Sequence, residues 1–207
     1  VNSMKRGISI SASFLILFLS VLTSCKQSSA YEQGNLLEYF VAYEEGSFGF
    51  PKVPWGSSVD ETAEKLHVDR EDMEDAGNEQ YRLKKRISFT NPTCSGYLIC
   101  SFQDDALVSV RLSLSNSFGI QEEAEYPEID LKGALSALAS ELENSNFSEP
   151  MTAGGLEPLR KEISQGISVR WENEDHSRFE ISAIVDDRSE EVVSLYVGAP
   201  VKNPYDP

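Results

Sequence analysis

The sequence predicts an α+β fold built from two tandem αβββ units, an antiparallel sheet with helices packed on one face. The segment Leu107–Ser115 alternates apolar and polar residues, as a half-buried antiparallel strand does. Two segments carry apolar residues at helical spacing, and each precedes three strand-like runs. The centres of these runs lie about eleven to twelve residues apart, a spacing typical of meanders.

The first predicted unit covers residues 48–117. The turn Pro54–Gly56 leads into a helix, in which Ser58 and Glu61 have the spacing of a capping box. One face of this helix is apolar and consists of Val59, Ala63 and Leu66. The three strand runs that follow are Leu83–Thr90, Tyr97–Phe102 and Leu107–Ser115.

The second predicted unit covers residues 118–199. Asp130 is placed to begin its helix. The inward face of the helix consists of Leu131, Leu135, Leu138 and Leu142. The three strand runs that follow are Ile167–Glu172, Phe179–Val185 and Val192–Val197. The two halves share a pattern of elements, not a pattern of residues.

Both ends of the chain are predicted to lie outside these units. Residues 25–47 are expected to form an anchor and tether, because Lys26–Asn35 is small and polar. The aromatic stretch Leu36–Phe50 fits either a short helix or an edge strand. Residues 200–207 include three prolines and are expected to form a flexible tail.

Residues 1–24 have the features of a secretory signal peptide. The 15 residues Ile8–Leu22 are uncharged, and Lys5 and Arg6 precede them. As a helix this run would be about 22 Å long, shorter than the hydrocarbon core of about 30 Å, which argues against a membrane span. An ordinary signal peptide with an incidental cysteine is one interpretation of the segment.

The end of this segment, Leu22-Thr23-Ser24-Cys25, resembles the lipobox of bacterial lipoproteins. The resemblance implies cleavage before Cys25 and attachment of lipid, palmitate included, to its thiol. The mature chain would then be extracytoplasmic and anchored to the cell membrane, or to an outer membrane if the host has one. Apart from this covalent lipid, we expect no cofactor.

The mature chain would be strongly acidic. The full sequence has 18 basic and 34 acidic residues, a net charge of −16. Removing Lys5 and Arg6 with the signal leaves 16 basic residues and a net charge of −18. Such a surface is repelled by nucleic acid and by anionic lipid headgroups, so neither is an expected partner of the folded part.

Cys94 and Cys100 lie in a segment whose compartment permits a disulfide. If they share one strand, however, about 20 Å separates them, whereas bridged Cα atoms lie within about 7 Å. A turn at Ser95-Gly96 would bring them together. The alternatives left open are therefore a disulfide, or a loop thiol at Cys94 and a core thiol at Cys100.

No set of residues with a recognisable catalytic or metal-binding pattern occurs, so we expect neither an enzyme nor a metal site. His67 ends the first helix, and His176 lies in a predicted turn; neither has a second ligand at zinc spacing. The acidic hairpin turns lack the register of a calcium loop and are interpreted as solvated turns. No nucleophile elbow and no phosphate-binding loop is present.

Two groups of residues are candidates for contact with a partner or ligand. The basic cluster consists of Arg82, Lys84 and Arg86 on one face of a predicted strand, where charges also commonly guard an exposed face. The aromatic group consists of Trp55, Trp171 and Phe102, where tryptophan is also commonly a core residue.

The mature part also resembles two groups of secreted bacterial proteins. The turn and helix Pro54–Leu66 followed by antiparallel strands is similar to the outer-membrane-assembly lipoproteins of the SmpA/OmlA type, although Leu66-His67-Val68 replaces their Leu-Gly-x-Pro exit. The tandem layout resembles the secreted β-lactamase-inhibitor proteins. These resemblances imply a non-catalytic protein-interaction module of the cell envelope, with another envelope protein as partner. The alternative is a lipoprotein that binds a small molecule or cell-wall glycan, with Trp55 and Trp171 stacking on it. The oligomeric state stays open.

Overall fold

A large mixed sheet dominates the computed structural model, which describes residues 31–116 and 128–200. Its strands and those of a small hairpin are β1 Tyr31–Asn35, β2 Ala42–Glu44, β3 Ser47–Gly49, β4 Met73–Gly77, β5 Gln80–Leu83, β6 Ile87–Asn91, β7 Thr93–Gln103, β8 Ala106–Ser115, β9 Ile167–Glu172, β10 Arg178–Val185 and β11 Glu191–Gly198. Nine of them form the large sheet, and β2 and β3 form the hairpin.

The large sheet runs in the order β1-β6-β7-β8-β11-β10-β9. Among the described strands, only β1 and β6 pair in parallel. The long strand β7 pairs with β6 through its first half and with β5 through its second half, and β4 extends the sheet beyond β5. The predicted α+β class is therefore confirmed as a mixed fold with a large, mostly antiparallel sheet.

Three α-helices occur among the described residues: α1 Leu36–Phe40, α2 Val59–Leu66 and α3 Leu131–Glu143. Short 3-10 turns lie at Arg70–Asp72, Glu157–Arg160 and Ile163–Gln165. Asp130 caps α3 as predicted, because its carboxylate accepts a hydrogen bond of 2.8 Å from the backbone N–H of Gly133. No helix in the described part of the chain is long and apolar enough to cross a membrane.

The predicted capping box of α2 is confirmed. The Ser58 hydroxyl accepts a hydrogen bond from the Glu61 N–H, and the Glu61 carboxylate accepts one from the Ser58 N–H. Asp105, in the hairpin between β7 and β8, accepts a further bond from the Val59 N–H at 3.2 Å. The start of α2 is therefore attached to the centre of the sheet.

We expect Ser58→Ala to lower the free energy of unfolding by about 1 kcal/mol, because an N–H group at the start of α2 loses its ordered partner and the reciprocal bond from Glu61 is weakened. Equilibrium unfolding in urea would measure the change. Ser140→Ala is the matched control, since Ser140 is exposed on α3 and its hydroxyl donates to the carbonyl of Ser136. Equal stability of the two variants would contradict the capping role.

One hydrophobic core contains buried side chains from all three helices and from one face of the sheet. The predicted alternation of β8 holds from Val110 to Leu114, where Val110 and Leu112 face the core beside Cys100 and Leu98 of β7. It fails at the start of the strand, because the register shifts there and Leu107, not Val108, belongs to the core. The same core includes Val193, Leu195 and Val197 of β11. It therefore spans both predicted units and does not divide at residue 117.

The prediction that residues 25–47 form a tether is wrong from Tyr31 onward. β1 lies at the edge of the sheet, and Leu36, Phe40 and Phe48 have no exposed surface. The aromatic stretch is both a helix and a hairpin, since α1 is followed by β2 and β3. The density of aromatic residues here reflects packing: Phe48 alone contacts the rings of Tyr43, Phe147 and Phe179.

The other predicted strands are confirmed with one exception. The run Leu83–Thr90 is not one strand, because β5 ends at Leu83 and β6 begins at Ile87. The predicted signal peptide, the lipidation site Cys25 and residues 201–207 of the predicted tail lie outside the described residues.

Candidate interaction surface

The face of the sheet opposite the core is polar, and no described helix packs against it. Side chains from several strands point to this side, and strand pairing places them in rows that cross the sheet. We call this surface the open face. Its central members are Arg82, Tyr97, Ile99, Ser109, Arg111, Ser113, Ser168, Arg170, Arg178, Glu180, Ser182, Ser194 and Tyr196. Tyr97, Ser109 and Ser113 are buried, and the other ten are partly or fully exposed.

One row of the open face consists of serines on four neighbouring strands. Ser113 of β8 pairs with Ser194 of β11, which pairs with Ser182 of β10, which pairs with Ser168 of β9. At about 4.8 Å between strands, this row is about 14 Å long. Tyr97 of β7 continues it at one end. Three of its four serines, Ser168, Ser182 and Ser194, have accessible hydroxyl groups, which both donate and accept hydrogen bonds.

The neighbouring row crosses seven strands and consists of five charged residues, one isoleucine and one tyrosine. From β4 to β9 its members are Glu74, Arg82, Ile99, Arg111, Tyr196, Glu180 and Arg170. Opposite charges on neighbouring strands attract each other, and each end of the row has such a pair: Glu74 with Arg82, and Glu180 with Arg170. Arg82 binds Glu74 at 2.8 Å, and Arg170 binds Glu172, which lies two residues further along β9.

Arginine side chains lie on both tyrosine rings of the open face. The Arg178 guanidinium is 4.6 Å from the centroid of the Tyr196 ring. The guanidinium groups of Arg82 and Arg86 lie 5.0 and 5.3 Å from the centroid of Tyr97. Stacking of this kind holds long side chains in place and reduces the entropy that they would lose on binding.

Gly198 explains why the Tyr196 ring lies flat on the sheet. A Cβ atom at Gly198 would stand 2.7 Å from the Tyr196 hydroxyl oxygen, so only glycine leaves room for the ring. The ring therefore covers the backbone of β11, with Arg178 against it. The sequence contains no local signal for this arrangement, because it depends on a pair of residues that the strand places side by side.

The charge of the open face differs from that of the whole chain. Arg82, Arg111, Arg170 and Arg178 stand against Glu74, Glu172 and Glu180, so the face is nearly neutral in a chain of net charge −16. Hydrogen bonds from His176 and Arg170 hold the pKa of the Glu172 carboxyl below its ordinary value. Arg111 is exposed and forms no ion pair with any described residue.

The predicted basic cluster does not form one strip. Arg82 lies on β5 with 41% of its side chain exposed, Lys84 is exposed after the end of the strand, and Arg86 is only 4% exposed. The prediction assumed an unbroken strand, but the chain turns between β5 and β6. Arg82 and Arg86 nevertheless meet again over Tyr97, where Arg86 also donates to the backbone carbonyl of Ser115 at 3.4 Å.

Two of the three predicted aromatic contacts are core residues, so their assignment to a binding surface is wrong. Trp171 is 1% exposed, stacks on Phe179 and donates its indole N–H to the Ser148 carbonyl at 2.9 Å. Phe102 is 5% exposed and lies on the core face with Leu98 and Cys100. The two tryptophans therefore do not form a joint stacking site for a ligand.

Trp55 is partly buried and lines a shallow groove of about 460 Å³ beside the β2–β3 hairpin. Its indole N–H donates to the Phe48 carbonyl at 3.3 Å. The walls of this groove include Pro54 and the exposed acidic residues Glu44 and Glu45. Trp55 is therefore the one member of the predicted aromatic group that a ligand could reach.

Cys94 and Cys100 are both free thiols on β7, so no disulfide joins them. Cys94 is in the strand and buried, not in a loop, and Cys100 is in the core. Burial raises the pKa of each thiol to about 12, so neither is a thiolate near neutral pH. Among the described residues, no group of three or more histidine, cysteine or acidic side chains is placed to hold a metal ion.

Comparison with known proteins adds no family to these observations. No family model matches the chain, no curated protein is significantly similar to it, and no solved structure matches it.

Proposed function

We propose that this protein is a lipid-anchored, non-catalytic interaction module of the cell envelope, and that its open face is the surface that binds another envelope protein. The observation that carries the proposal is the Tyr196 ring, which lies against the Arg178 guanidinium and whose cross-strand neighbour is the exposed Arg111. Tyrosine and arginine are among the residue types that contribute most to binding energy at protein interfaces.

The serine row supports the same function. Interfaces that combine rigid tyrosines with small serines give a large contact area together with adaptable hydrogen bonds. Ser182 and Ser194 stand beside one another in the middle of the row and are partly exposed. A partner could approach the backbone closely between β11 and β9, where the row consists of Ser194, Ser182 and Ser168, which are partly or fully exposed.

The charge of the open face also supports contact with a protein. A surface of net charge near −18 repels most acidic proteins, whereas a nearly neutral face does not add to this repulsion. Arg111 and Arg178 have no ion-pair partner among the described residues and are available to carboxylates of a partner. We therefore expect the partner to present acidic groups at its contact surface.

Anchoring at Cys25 would restrict the choice of partner. Tyr31, the first residue of β1, is the sixth residue after Cys25. A chain spans at most about 3.6 Å per residue, so the folded part would begin within about 22 Å of the lipidated residue. Such a short connection favours a partner that is itself at the membrane surface.

We also propose that the sheet combines two αβββ units. The strand order supports this idea, since β8 and β11, the last strands of the two halves, pair at the centre, with β7 and β6 on one side and β10 and β9 on the other. A helix precedes the strands in each half. In this view β1, β4 and β5 are additions to the first unit.

Site-specific photocrosslinking in the native envelope tests the proposed function. We would place a photoreactive residue at Ser182 on the open face, and at Ser140 of α3 on the opposite side as the matched control. Crosslinking from Ser182 to one envelope protein, and not from Ser140, is the expected result. A Cys25→Ala version tests whether the adduct needs the anchor.

The charge reversal Arg111→Glu should reduce that adduct by at least about tenfold, because it removes an exposed interface arginine and adds a repulsive charge. Arg188→Glu is the control, since Arg188 is exposed in the hairpin between β10 and β11. The proposal fails if both reversals act alike, or if Ser140 captures the same protein as Ser182.

A further inference from the structure

A second, smaller cavity lies on the core side of the sheet, away from the open face. It has a volume of about 170 Å³ and lies between β1, the end of α2 and the first residues of β6. We call it the tyrosine–lysine pocket. The residues that define it are Tyr31, Tyr39, Lys52, Lys65, Leu66 and His67.

The floor of this pocket is apolar, and one of its walls is fixed by ring contacts. Leu83 and Ile87 line it and are 2% and 1% exposed, so they belong to the core. The Tyr39 ring is held edge-on against Phe50 and Phe89, at 6.0 and 5.5 Å between centroids. The pocket therefore exists before any ligand arrives, which lowers the entropy cost of binding.

The second wall is Tyr31, which is held by a hydrogen bond. Its hydroxyl donates to Asp72 at 3.2 Å, so this carboxylate is engaged by the wall itself. Burial, with the charge of Asp72, raises the pKa of Tyr31 to about 12, so the phenol stays neutral. Lys85 lies beside this wall, with its ammonium 5.8 Å from the ring centroid.

The rim of the pocket contains two lysines and a histidine. Lys52, Lys65 and His67 line it, and none of them forms an ion pair with a described residue. No described residue that lines the pocket is acidic, although the chain has 34 acidic residues against 18 basic ones. Two lysines that have no ion-pair partner attract an anion, and the nearby Asp72 carboxylate is already bound by the Tyr31 hydroxyl.

The size and polarity of the pocket define a class of ligand. A cavity of about 150 Å³ accommodates a benzene ring. The apolar floor requires a ring or a short hydrocarbon chain, and the lysines of the rim require a negative charge at one end. We infer that the tyrosine–lysine pocket binds a small amphipathic carboxylate, with its apolar part against the Tyr31 ring and Leu66, above the buried Leu83 and Ile87, and its carboxylate near Lys52 and Lys65. This inference is independent of the function proposed for the open face.

The inference is tested by titrating the full chain with benzoate at low ionic strength and monitoring the amide chemical shifts by NMR. Benzoate should shift the amides of Leu66, His67 and Ile87, with a dissociation constant on the order of a millimolar. Benzamide has the same ring without the charge and should bind about tenfold more weakly. Acetate has the charge without the ring and should also bind at least about tenfold more weakly.

The double variant Lys52→Gln, Lys65→Gln should lose about tenfold in affinity for benzoate and keep its fold, because both side chains are exposed. Lys161→Gln is the matched control, since Lys161 is exposed and does not line the pocket. Equal binding of benzoate and benzamide, equal binding of benzoate and acetate, or shifts confined to residues away from the pocket would each overturn the inference. So would an unchanged affinity in the double variant.

Discussion

Replacing Gly96 by alanine is expected to destabilise the protein by about 3 kcal/mol, the upper range for an overpacked interior site. Gly96 lies on β7, where it pairs with Ile87 of β6 and Leu114 of β8. An added Cβ atom would stand 2.5 Å from the backbone oxygen of Ser113 and 2.7 Å from Cδ2 of Leu114. Because one of these atoms belongs to the backbone of a central strand, a side-chain rotation cannot relieve the contact.

Gly34→Ala is the matched control for Gly96→Ala. Gly34 also lies in a strand, β1, but a Cβ atom added to it would have no atom within 4 Å, and its φ is not positive. Its replacement should be neutral or stabilise the protein by about 0.4–1 kcal/mol, because alanine restricts the unfolded chain. Urea unfolding of both variants measures the difference, and similar stabilities would show that β7 and β8 do not approach as closely as the structure has them.

The effect of Gly96 extends to the proposed interaction surface. The next residue, Tyr97, pairs with Ser113, whose backbone oxygen the new Cβ would contact. A shift of β8 would therefore disturb the pairing of Tyr97 with Ser113, which is the β8 member of the serine row. We therefore expect folded molecules of the Gly96→Ala variant to bind the partner more weakly than folded molecules of the wild-type protein do.

The Trp171→Ala variant is expected to lose about 3–5 kcal/mol of stability, as large-to-small changes of buried aromatic residues do. The indole ring stacks on Phe179 with 5.0 Å between centroids and is 1% exposed. Its N–H donates to the Ser148 carbonyl at 2.9 Å, so it also holds the segment after α3 against the sheet. The substitution removes the ring and leaves this carbonyl without its donor.

Trp55→Phe is the matched control and is expected to lose no more than about 1 kcal/mol, because Trp55 is only partly buried and its bond to the Phe48 carbonyl is 3.3 Å long. It also leaves Trp171 as the only tryptophan of the sequence. The emission of that variant should be blue-shifted and protected from acrylamide. A solvent-exposed emission, or equal stability of the two variants, would show that Trp171 is not a core residue.

Some features of the chain follow from residues that are close in sequence. Ser58, Glu61 and Asp130 begin their helices as predicted, because a cap needs only a side chain and an N–H group three residues apart. The strands β9, β10 and β11 lie within a residue of their predicted bounds. Alternation over six to eight residues indicates a half-buried strand whatever its neighbours are.

Other predictions failed because a short sequence pattern does not determine where a strand breaks or which distant strand it pairs with. Arg82, Lys84 and Arg86 alternate as if on one strand face, but the chain leaves the sheet between Leu83 and Ile87. The apparent tether beginning at Tyr31 is an edge strand, because β6 supplies its hydrogen bonds from more than fifty residues away. The local sequence contains no signal for the break between β5 and β6, and none for the distant partner of β1.

The α+β class, the helix starts, most of the strands and the strong negative charge could all be predicted from the residues in order. Which residues meet could be learned only from the folded chain: the serine row joins four strands, Arg178 reaches Tyr196, and Lys52 and Lys65 share a pocket. Helix caps and alternation are predictable because they depend on neighbours along the chain. Cross-strand rows and pockets depend instead on strand order and register, which the packing of the whole core selects.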